Sequence, residues 1–374
     1  AKRLPPITNQ HEEDGMTLNI SKYAGPLVIR LTRRLINRAL VTLFAIGLSA
    51  GYVFAGGAGG VSNIFKPNGA PARAIVDYTM LVLAVCGVIF VIVVGLLIYT
   101  VVRFRHRRGE EGHEPPQVYG SNQIELAWTV IPILIVFVLA LVTARSIAEV
   151  QNAVRPPKAL SVTVVGHQWW WEIRYPDQGV VTANELHVPV SDTAHRNPTF
   201  LKLESADVAH SFWVPQLAGK MDVIPNRDNN MWIEPTTPGT YLGNCAEYCG
   251  TQHARMLIRV IVHPPGEFEK WVASQQSNAA NETQVKAGRD IFFATSCVNC
   301  HAINGTEAKG KFGPDLTHLM SRETLGSGAA LNNPEKLRAW VRNPQNLKQG
   351  CYMPDMQLTD EEMDDLVQYL LTLK

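Results

Sequence analysis

Two long apolar segments constrain the fold of this chain more than any other feature of its sequence. Tyr78 to Val102 contains 25 residues and Leu126 to Ala144 contains 19, and neither segment has a charged side chain. As helices with a rise of about 1.5 Å per residue, both are long enough to cross a hydrocarbon layer of about 30 Å. The segment between them begins with a basic run that contains Arg103, Arg105, His106, Arg107 and Arg108. Because positive charge favours the cytoplasmic side, the sequence predicts a transmembrane hairpin over residues 75–145, with the chain after residue 145 outside.

A third apolar stretch lies in the basic N-terminal segment, residues 1–60. It runs from Ala39 to Ala58 and follows four arginines, Arg30, Arg33, Arg34 and Arg38. This order of basic, apolar and small residues is typical of a signal peptide, and a retained extra helix fits it equally well. Both interpretations leave the topology of the hairpin unchanged.

The sequence pattern changes after the hairpin. Residues 158–265 contain short runs rich in β-branched residues, such as Leu160 to Val165 and Met256 to Val262, separated by Pro and Gly. They predict an all-β sandwich or Greek-key barrel. Residues 273–284 are rich in Ser, Gln and Asn and predict a flexible polar linker. Residues 285–374 predict an all-α domain whose last helix begins with a capping box, Thr359 to Glu362.

The densest chemical signal is one short loop with four soft ligands. Cys245, Cys249, His253 and Met256 share this loop, and His210 stands 35 residues before the first cysteine. On a β domain, a loop with Cys, His and Met plus a His from an earlier strand is the arrangement of a blue-copper site. The second cysteine allows two thiolates to bridge two copper ions, which suits electron transfer. The cysteine pair alone also fits a zinc half-site, a redox disulfide or packed thiols. A copper chaperone with a thioredoxin-like fold would need alternating strands and helices.

A second cysteine pair carries a different signature. Cys297, Cys300 and His301 form a Cys-x-x-Cys-His sequence, in which two thioethers attach a c-type haem and the histidine binds its iron. The alternative is a zinc half-site, but no second ligand pair lies nearby in the sequence. Cys86 and Cys351 stand alone, and Cys86 is expected to be a small hydrophobic core residue.

The copper signature and the hairpin together resemble cytochrome c oxidase subunit II over residues 75–265. The resemblance implies a cupredoxin-like Greek-key barrel that holds a binuclear copper centre. The implied ligands are His210, Cys245, Cys249, His253, Met256 and the backbone carbonyl of Glu247. The side chain of Glu247 is further implied to reach a magnesium ion shared with subunit I.

Two other residues receive roles from the same resemblance. Trp169, the first of three tryptophans in Gly166 to Trp171, is implied to be the residue through which electrons enter from cytochrome c. The alternative is a row of aromatic side chains that alternate across a strand and bury a large area. Glu125, in Asn122 to Pro132, is implied to lie at the start of a proton pathway into subunit I. A carboxylate at a helix N-terminus is also favourable for the helix dipole alone.

The C-terminal region resembles a small class I cytochrome c over residues 284–374, because Pro314 and then Met353 follow the haem signature in the order of that family. The resemblance implies His301 and Met353 as axial ligands, with the carbonyl of Pro314 orienting His301. Met356 is the competing sulfur. The two resemblances combined imply subunit II of a caa3-type haem-copper oxidase.

This resemblance implies a route for electrons. They would pass from an upstream donor such as a cytochrome complex to haem c, then to the binuclear copper, and then to subunit I. That subunit would reduce oxygen to water and translocate protons. The chain would be a multi-pass protein of a bacterial cytoplasmic membrane with both cofactor domains outside. The alternatives are the small subunit of a copper-containing nitric oxide reductase and a stand-alone membrane-tethered electron carrier.

The charge pattern argues against nucleic acid as a partner and for fusion of the haem domain. A net charge of +1 creates no strong field. Residues 283–374 carry 10 basic and 11 acidic side chains, unlike a soluble basic carrier that finds its partner by electrostatic steering. The sequence therefore predicts that a tethered haem domain delivers electrons within the same chain.

Overall fold

The computed structural model describes residues 63–105, 117, 119–191, 196–279 and 285–374. The apolar stretch from Ala39 to Ala58 lies outside these residues, and so do His106, Arg107 and Arg108. The predictions of a signal peptide or an extra helix therefore remain predictions.

Two helices begin the described part of the chain, α1 at Ala70–Arg103 and α2 at Asn122–Gln151. Both are longer than the apolar segments that predict them, and their most apolar stretches have mean hydropathies of 3.3 and 2.7 with no residue buried inside the protein. The hydroxyl of Tyr78 lies 2.6 Å from that of Thr143, so the helices lie side by side. Cys86 is exposed on α1, and the expectation that it packs in a core is wrong. An apolar surface of this kind suits contact with lipid or with other membrane helices.

Ten strands in the described residues form a β domain. They are β1 Ser161–His167, β2 Trp170–Tyr175, β3 Val180–Ala183, β4 Glu185–Pro189, β5 Thr199–Ser205, β6 His210–Trp213, β7 Met221–Val223, β8 Asn229–Ile233, β9 Gly239–Cys245 and β10 Leu257–His263. One sheet has the order β3-β2-β1-β5-β8 and the other β4-β10-β9-β6-β7. Alternation sets the faces: β10 buries Ile258, Val260 and Val262 and leaves the residues between them less buried.

Helix α3, Glu267–Gln275, completes this domain. Phe268 belongs to the core of the β domain, and Trp271 packs against it. The ring of Trp271 also stacks on His187 of β4, with ring centroids 4.1 Å apart. The β domain with α3, residues 160–275, is called the copper domain below.

The C-terminal domain is built mainly from helices, with one small hairpin. Its elements are α4 Lys286–Ala294, α5 Cys297–Cys300, β11 Thr324–Leu325, β12 Ala330–Leu331, α6 Pro334–Arg342 and α7 Asp360–Leu371. The capping box on the last helix is confirmed, because Thr359 accepts from the N–H of Glu362 and the Glu362 carboxylate accepts from the N–H of Thr359. Helices α4 and α7 cross at Gly288, where a Cβ atom would lie 1.9 Å from the carbonyl oxygen of Asp365. Residues 285–374 are called the haem domain below.

The predicted linker differs from the structure over its first half. Residues 273–275 belong to α3 rather than to a flexible segment. The side chain of Gln276 donates to the carbonyl of Gln178 at 2.8 Å, and the carbonyl of Ser277 lies 3.1 Å from Nε2 of His318. This half of the linker therefore contacts both domains.

Candidate copper and haem sites

The predicted copper ligands meet where three strands end or begin. His210 is the first residue of β6 and Cys245 the last residue of β9, and these strands pair with each other. The loop that follows β9 returns through a 3₁₀ helix, His253–Arg255, to β10. It brings Cys249 to 3.8 Å from Cys245, measured between the two sulfurs.

Each cysteine sulfur of this cluster has one imidazole nitrogen beside it. The Sγ atom of Cys245 lies 3.9 Å from Nδ1 of His210, and that of Cys249 lies 3.7 Å from Nδ1 of His253. The Met256 sulfur is 3.9 Å from Cys249. Two thiol sulfurs, two imidazoles and one thioether form a soft donor set that fits copper.

Glu247 offers its main chain to the cluster and its side chain to solvent. Its carbonyl oxygen lies 3.1 Å from Sγ of Cys245, while the residue as a whole is exposed. The carbonyl is therefore positioned to act as a further weak ligand. Nothing in the described residues tests the magnesium role of the carboxylate.

Asp207 orients one of the predicted ligands, and the sequence analysis missed it. Its Oδ1 is 2.8 Å from Nε2 of His210, which leaves Nδ1 of that ring facing the sulfurs, and its Oδ2 accepts from the N–H of Gln168 at 2.6 Å. Burial alone would raise the pKa of Asp207, but the hydrogen bonds from His210, Gln168 and Val208 lower it. An acidic residue three positions before a ligating histidine is the signal that would have identified it.

The two thiols of the cluster titrate as a pair. The hydrogen bond with Cys249 is the largest influence that lowers the pKa of Cys245, to about 3, whereas the same interaction and burial raise the pKa of Cys249. Two sulfurs at this separation compete for negative charge, and a bound cation would allow both to ionise.

Trp169 lies directly against the copper loop. Its indole N–H donates to the carbonyl of Cys249 at 2.9 Å, and Gly250 permits the ring to approach. A Cβ atom at Gly250 would lie 3.1 Å from the ring, and its φ of +113° disfavours other residues. The other two tryptophans differ in role: Trp170 stacks on His167, whereas Trp171 is fully buried in the core.

The predicted haem residues surround one cavity of the haem domain. It is lined by Cys297, Cys300, His301, Met353 and Met356. Both candidate methionine sulfurs therefore belong to residues of the cavity wall.

His301 is held as an axial ligand would be. Its Nδ1 lies 2.7 Å from the carbonyl oxygen of Pro314, which leaves Nε2 available for a ligand. Burial lowers the pKa of His301, and a neutral imidazole is the form that binds iron. Gly313 leaves room for this ring, because a Cβ atom there would lie 2.6 Å from it. The residues present therefore fit a c-type haem.

The same cavity is also lined by the copper domain. Gln168, Trp169, Trp170 and Asn184 contribute to its wall. The ring of Tyr352 packs on Trp169 with centroids 4.9 Å apart, and its hydroxyl donates to the side chain of Gln168 at 2.8 Å. Trp169 is consequently only 7% exposed.

Glu125 lies apart from the copper cluster and from the haem cavity. It is an exposed residue in the first turn of α2, with its carboxylate beside the backbone of Gly120. This position agrees with either reading of the sequence, a helix-dipole carboxylate or the start of a proton pathway.

Comparison with known proteins gives matches along the described chain. The model for the transmembrane domain of cytochrome c oxidase subunit II matches residues 66–145, that for its periplasmic domain matches residues 160–263, and that for cytochrome c matches residues 285–374. Cytochrome c oxidase subunit 2 of Alkalihalophilus pseudofirmus is 34% identical over 315 residues, which cover 82% of this chain and 90% of that protein. The corresponding subunit of Bacillus sp. strain PS3 is 35% identical over 72% of this chain and 80% of its own length. A crystal structure of the periplasmic domain of subunit II from Bradyrhizobium japonicum is 32% identical and covers 32% of this chain and 96% of that domain, with a TM-score of 0.30.

Fold and sites together define a membrane electron-transfer protein with a copper domain and a c-type haem domain. The chain belongs to the cytochrome c oxidase subunit II family, and its C-terminal region is a cytochrome c domain. It is an electron-transfer subunit of a haem-copper terminal oxidase and pairs with other subunits of that enzyme. Copper and haem follow from the two families. The predicted family and the predicted order of helices, β domain and helical domain are confirmed.

Proposed function

We propose that this chain conducts electrons from an upstream donor through haem c to a binuclear copper centre, and from there to subunit I. The observation that carries the proposal is the position of Trp169. Its ring lines the cavity that contains the Cys-x-x-Cys-His residues, and its N–H is bonded to the carbonyl of Cys249. One side chain thus contacts both candidate cofactor sites.

The proposed ligands form two groups, one for haem and one for copper. Cys297 and Cys300 would attach the haem covalently, and His301 and Met353 would bind its iron. The copper ions would be held by His210, Cys245, Glu247, Cys249, His253 and Met256. When bound, both groups supply one-electron carriers, while the chain supplies their ligands and excludes water from them.

The pairing of sulfurs and imidazoles supports two copper ions rather than one. His210 is beside one sulfur and His253 beside the other, so an imidazole is available next to each thiol. Two copper ions held by both cysteines would therefore each have an imidazole available to them. A weaker donor also lies next to each thiol. The Glu247 carbonyl is near the sulfur of Cys245, and the Met256 sulfur is near that of Cys249.

The membrane arrangement follows from the helices and their flanking charges. We infer that α1 and α2 form a multi-pass hairpin whose connecting segment, beginning with Arg103 and Arg105, faces the cytoplasm of a bacterium. Both cofactor domains then lie on the outer side. In this arrangement Glu125 would serve a proton pathway in subunit I, and Glu247 would share a magnesium ion with that subunit.

Oxygen reduction and proton translocation would take place in subunit I. The competing function, in a nitric oxide reductase, predicts a different catalytic subunit. Purification of the complex in mild detergent distinguishes them by oxygen consumption, and isolation of the chain alone would favour a stand-alone carrier.

The proposal is tested by replacing one bridging sulfur. Cys249→Ser should abolish the near-infrared absorption of the copper centre and stop turnover, because an alcohol oxygen is too hard and too weakly acidic to bridge two copper ions. Haem c should remain attached and reducible. Cys351→Ser, which changes a half-buried thiol outside the copper cluster, is the control and should retain two copper ions. Retention of both copper ions in Cys249→Ser would refute the assignment.

A further inference from the structure

Several buried ionisable side chains lie in the contact between the copper domain and the haem domain, outside both ligand sets; Arg322 and His318 are two of them, and the most buried are Glu185 and Lys348. Glu185 is the first residue of β4 and has no exposed surface, and Lys348 of the haem domain is 3% exposed. Burying a charged group is unfavourable unless other groups hydrogen-bond to it. The partners of these two residues therefore indicate what they do.

The side chain of Glu185, in the copper domain, accepts hydrogen bonds from the main chain of the haem domain. Its Oε1 accepts from the N–H of Glu323 at 2.8 Å, the N–H of Thr324 at 3.1 Å and the hydroxyl of Thr324 at 3.4 Å. Its Oε2 is buried, and within the described residues no hydrogen-bond partner reaches it. One carboxylate oxygen thus attaches the start of the haem-domain hairpin β11–β12.

Lys348 makes the reciprocal contact from the haem domain. Its Nζ donates to the carbonyl of Trp169 at 2.7 Å and to that of Gly326 at 2.9 Å. The residues on either side of it are attached as well, since Arg255 donates to the carbonyl of Leu347 at 3.0 Å and Gln252 to that of Gln349. The segment that carries Lys348 is therefore fixed to the copper loop.

We propose that Glu185 and Lys348 are positioning residues for electron transfer between the two domains. Apolar burial has no preferred direction, whereas hydrogen bonds to main-chain groups do. Hydrogen bonds at separate points fix the orientation of the haem domain, and Glu185 and Lys348 supply two of these points from buried side chains. Lys348 donates a hydrogen bond to the main chain of Trp169 itself. It therefore fixes the position of Trp169 relative to the haem-domain residues that line the cavity. The inference rests on the proposed route from haem c to copper.

The test uses the intact oxidase in detergent, with Glu185→Leu, Glu185→Gln and Lys348→Leu. A flash-triggered reductant delivers electrons to haem c, and the reoxidation of haem and reduction of copper are followed by absorbance. Both leucine variants should slow this step by about tenfold or more, since each leaves buried polar groups of the other domain without a partner. Glu185→Gln retains the acceptor oxygen and should restore most of the rate. The matched controls are Lys202→Leu and Glu267→Leu, which remove exposed ion pairs within the copper domain and should transfer electrons at the wild-type rate.

The outcomes separate this inference from the function on which it rests. If wild-type haem c does not reduce copper at all, the proposed route is wrong. If wild type transfers electrons and both leucine variants match its rate with intact haem and copper spectra, the positioning roles are overturned. Should a leucine variant lose a cofactor, Lys348→Gln decides, because the shorter amide cannot span both carbonyls. Transfer must slow in that variant with both spectra intact, and an unchanged rate overturns the role of Lys348.

Discussion

Glu185 should make the attachment of the haem domain depend on pH. Burial raises its pKa from 4.5 to about 7, against the opposing effects of Arg322 and the N–H of Thr324. In the undocked state the carboxyl would titrate near its ordinary pKa, so the docked state holds the proton to a higher pH. The stabilisation from Glu185 is therefore fully present below about pH 4.5 and is lost as the pH rises through about 7.

The size of the effect follows from the same pKa. Raising a pKa from 4.5 to about 7 corresponds to about 3 kcal/mol in favour of the docked state at low pH. Between about pH 5 and about pH 8 the linkage relation gives a loss of about 2.5 kcal/mol. Lys348 acts in the opposite direction, because burial lowers its pKa to about 7 and its contribution is lost as the pH falls through that value. The pH dependence of docking in the wild-type protein would therefore show only the difference between the Glu185 and Lys348 contributions.

A comparison of wild type with Glu185→Gln isolates the glutamate. Hydrogen exchange of the Glu323 and Thr324 amides, measured by mass spectrometry on the intact complex, reports the free energy of opening at this contact. After correction for the intrinsic pH dependence of exchange, the advantage of wild type over the variant should fall by about 2.5 kcal/mol from about pH 5 to about pH 8. The Lys348 contribution is common to both proteins and cancels. A difference that stays constant over this range would show that Glu185 keeps an ordinary pKa and would refute the reasoning.

Two further predictions concern the haem domain. Met353→Leu should leave haem attached through Cys297 and Cys300 but lower its reduction potential, because thioether ligation favours the reduced iron; Met356→Leu is the control, and the reverse result would make Met356 the ligand. Gly288→Ala should destabilise the domain by about 1–3 kcal/mol, because the new methyl group meets the Asp365 carbonyl of α7 and this clash outweighs the gain in helix propensity. Thermal unfolding followed by the haem absorption measures this loss, with the exposed neighbour Ala287→Ser as control, and an unchanged or higher midpoint would contradict the tight crossing of α4 and α7.

The parts of the sites that the sequence predicts are those encoded within short segments. Five of the six proposed copper ligands lie within 12 residues, and the haem signature lies within five, so local spacing alone brings their chemistry together. Hydrophobic segment length predicts both membrane helices for the same reason. The ends of these helices differ from the apolar segments because a helix continues through polar residues until its main chain is capped.

The contact between the domains could not be predicted in this way. Glu185 lies 139 positions from Thr324, and Trp169 lies 179 positions from Lys348, so no periodicity or spacing relates them. A glutamate at the start of a strand and a lysine in a loop are ordinarily solvated, and only the packing of two domains buries them. The structure differs from the predicted flexible linker at residues 273–277 for a related reason, because polar composition does not show that Gln276 and Ser277 have partners in the two domains.

The near-neutral charge of the haem domain is consistent with this attachment. A carrier that diffuses to its partner uses a surplus of charge to increase the rate of encounter, and salt screens that attraction over about 10 Å. A domain held by buried hydrogen bonds needs no long-range attraction, and those bonds are little affected by salt because they lie out of solvent. Many of the 10 basic and 11 acidic residues between 283 and 374 are then available for contacts within the domain, as Arg338 forms with Asp364 and Arg342 with Asp360. The sequence predicts delivery of electrons within one chain from a flexible tether, and we propose that this delivery uses the contact between the two domains at Trp169.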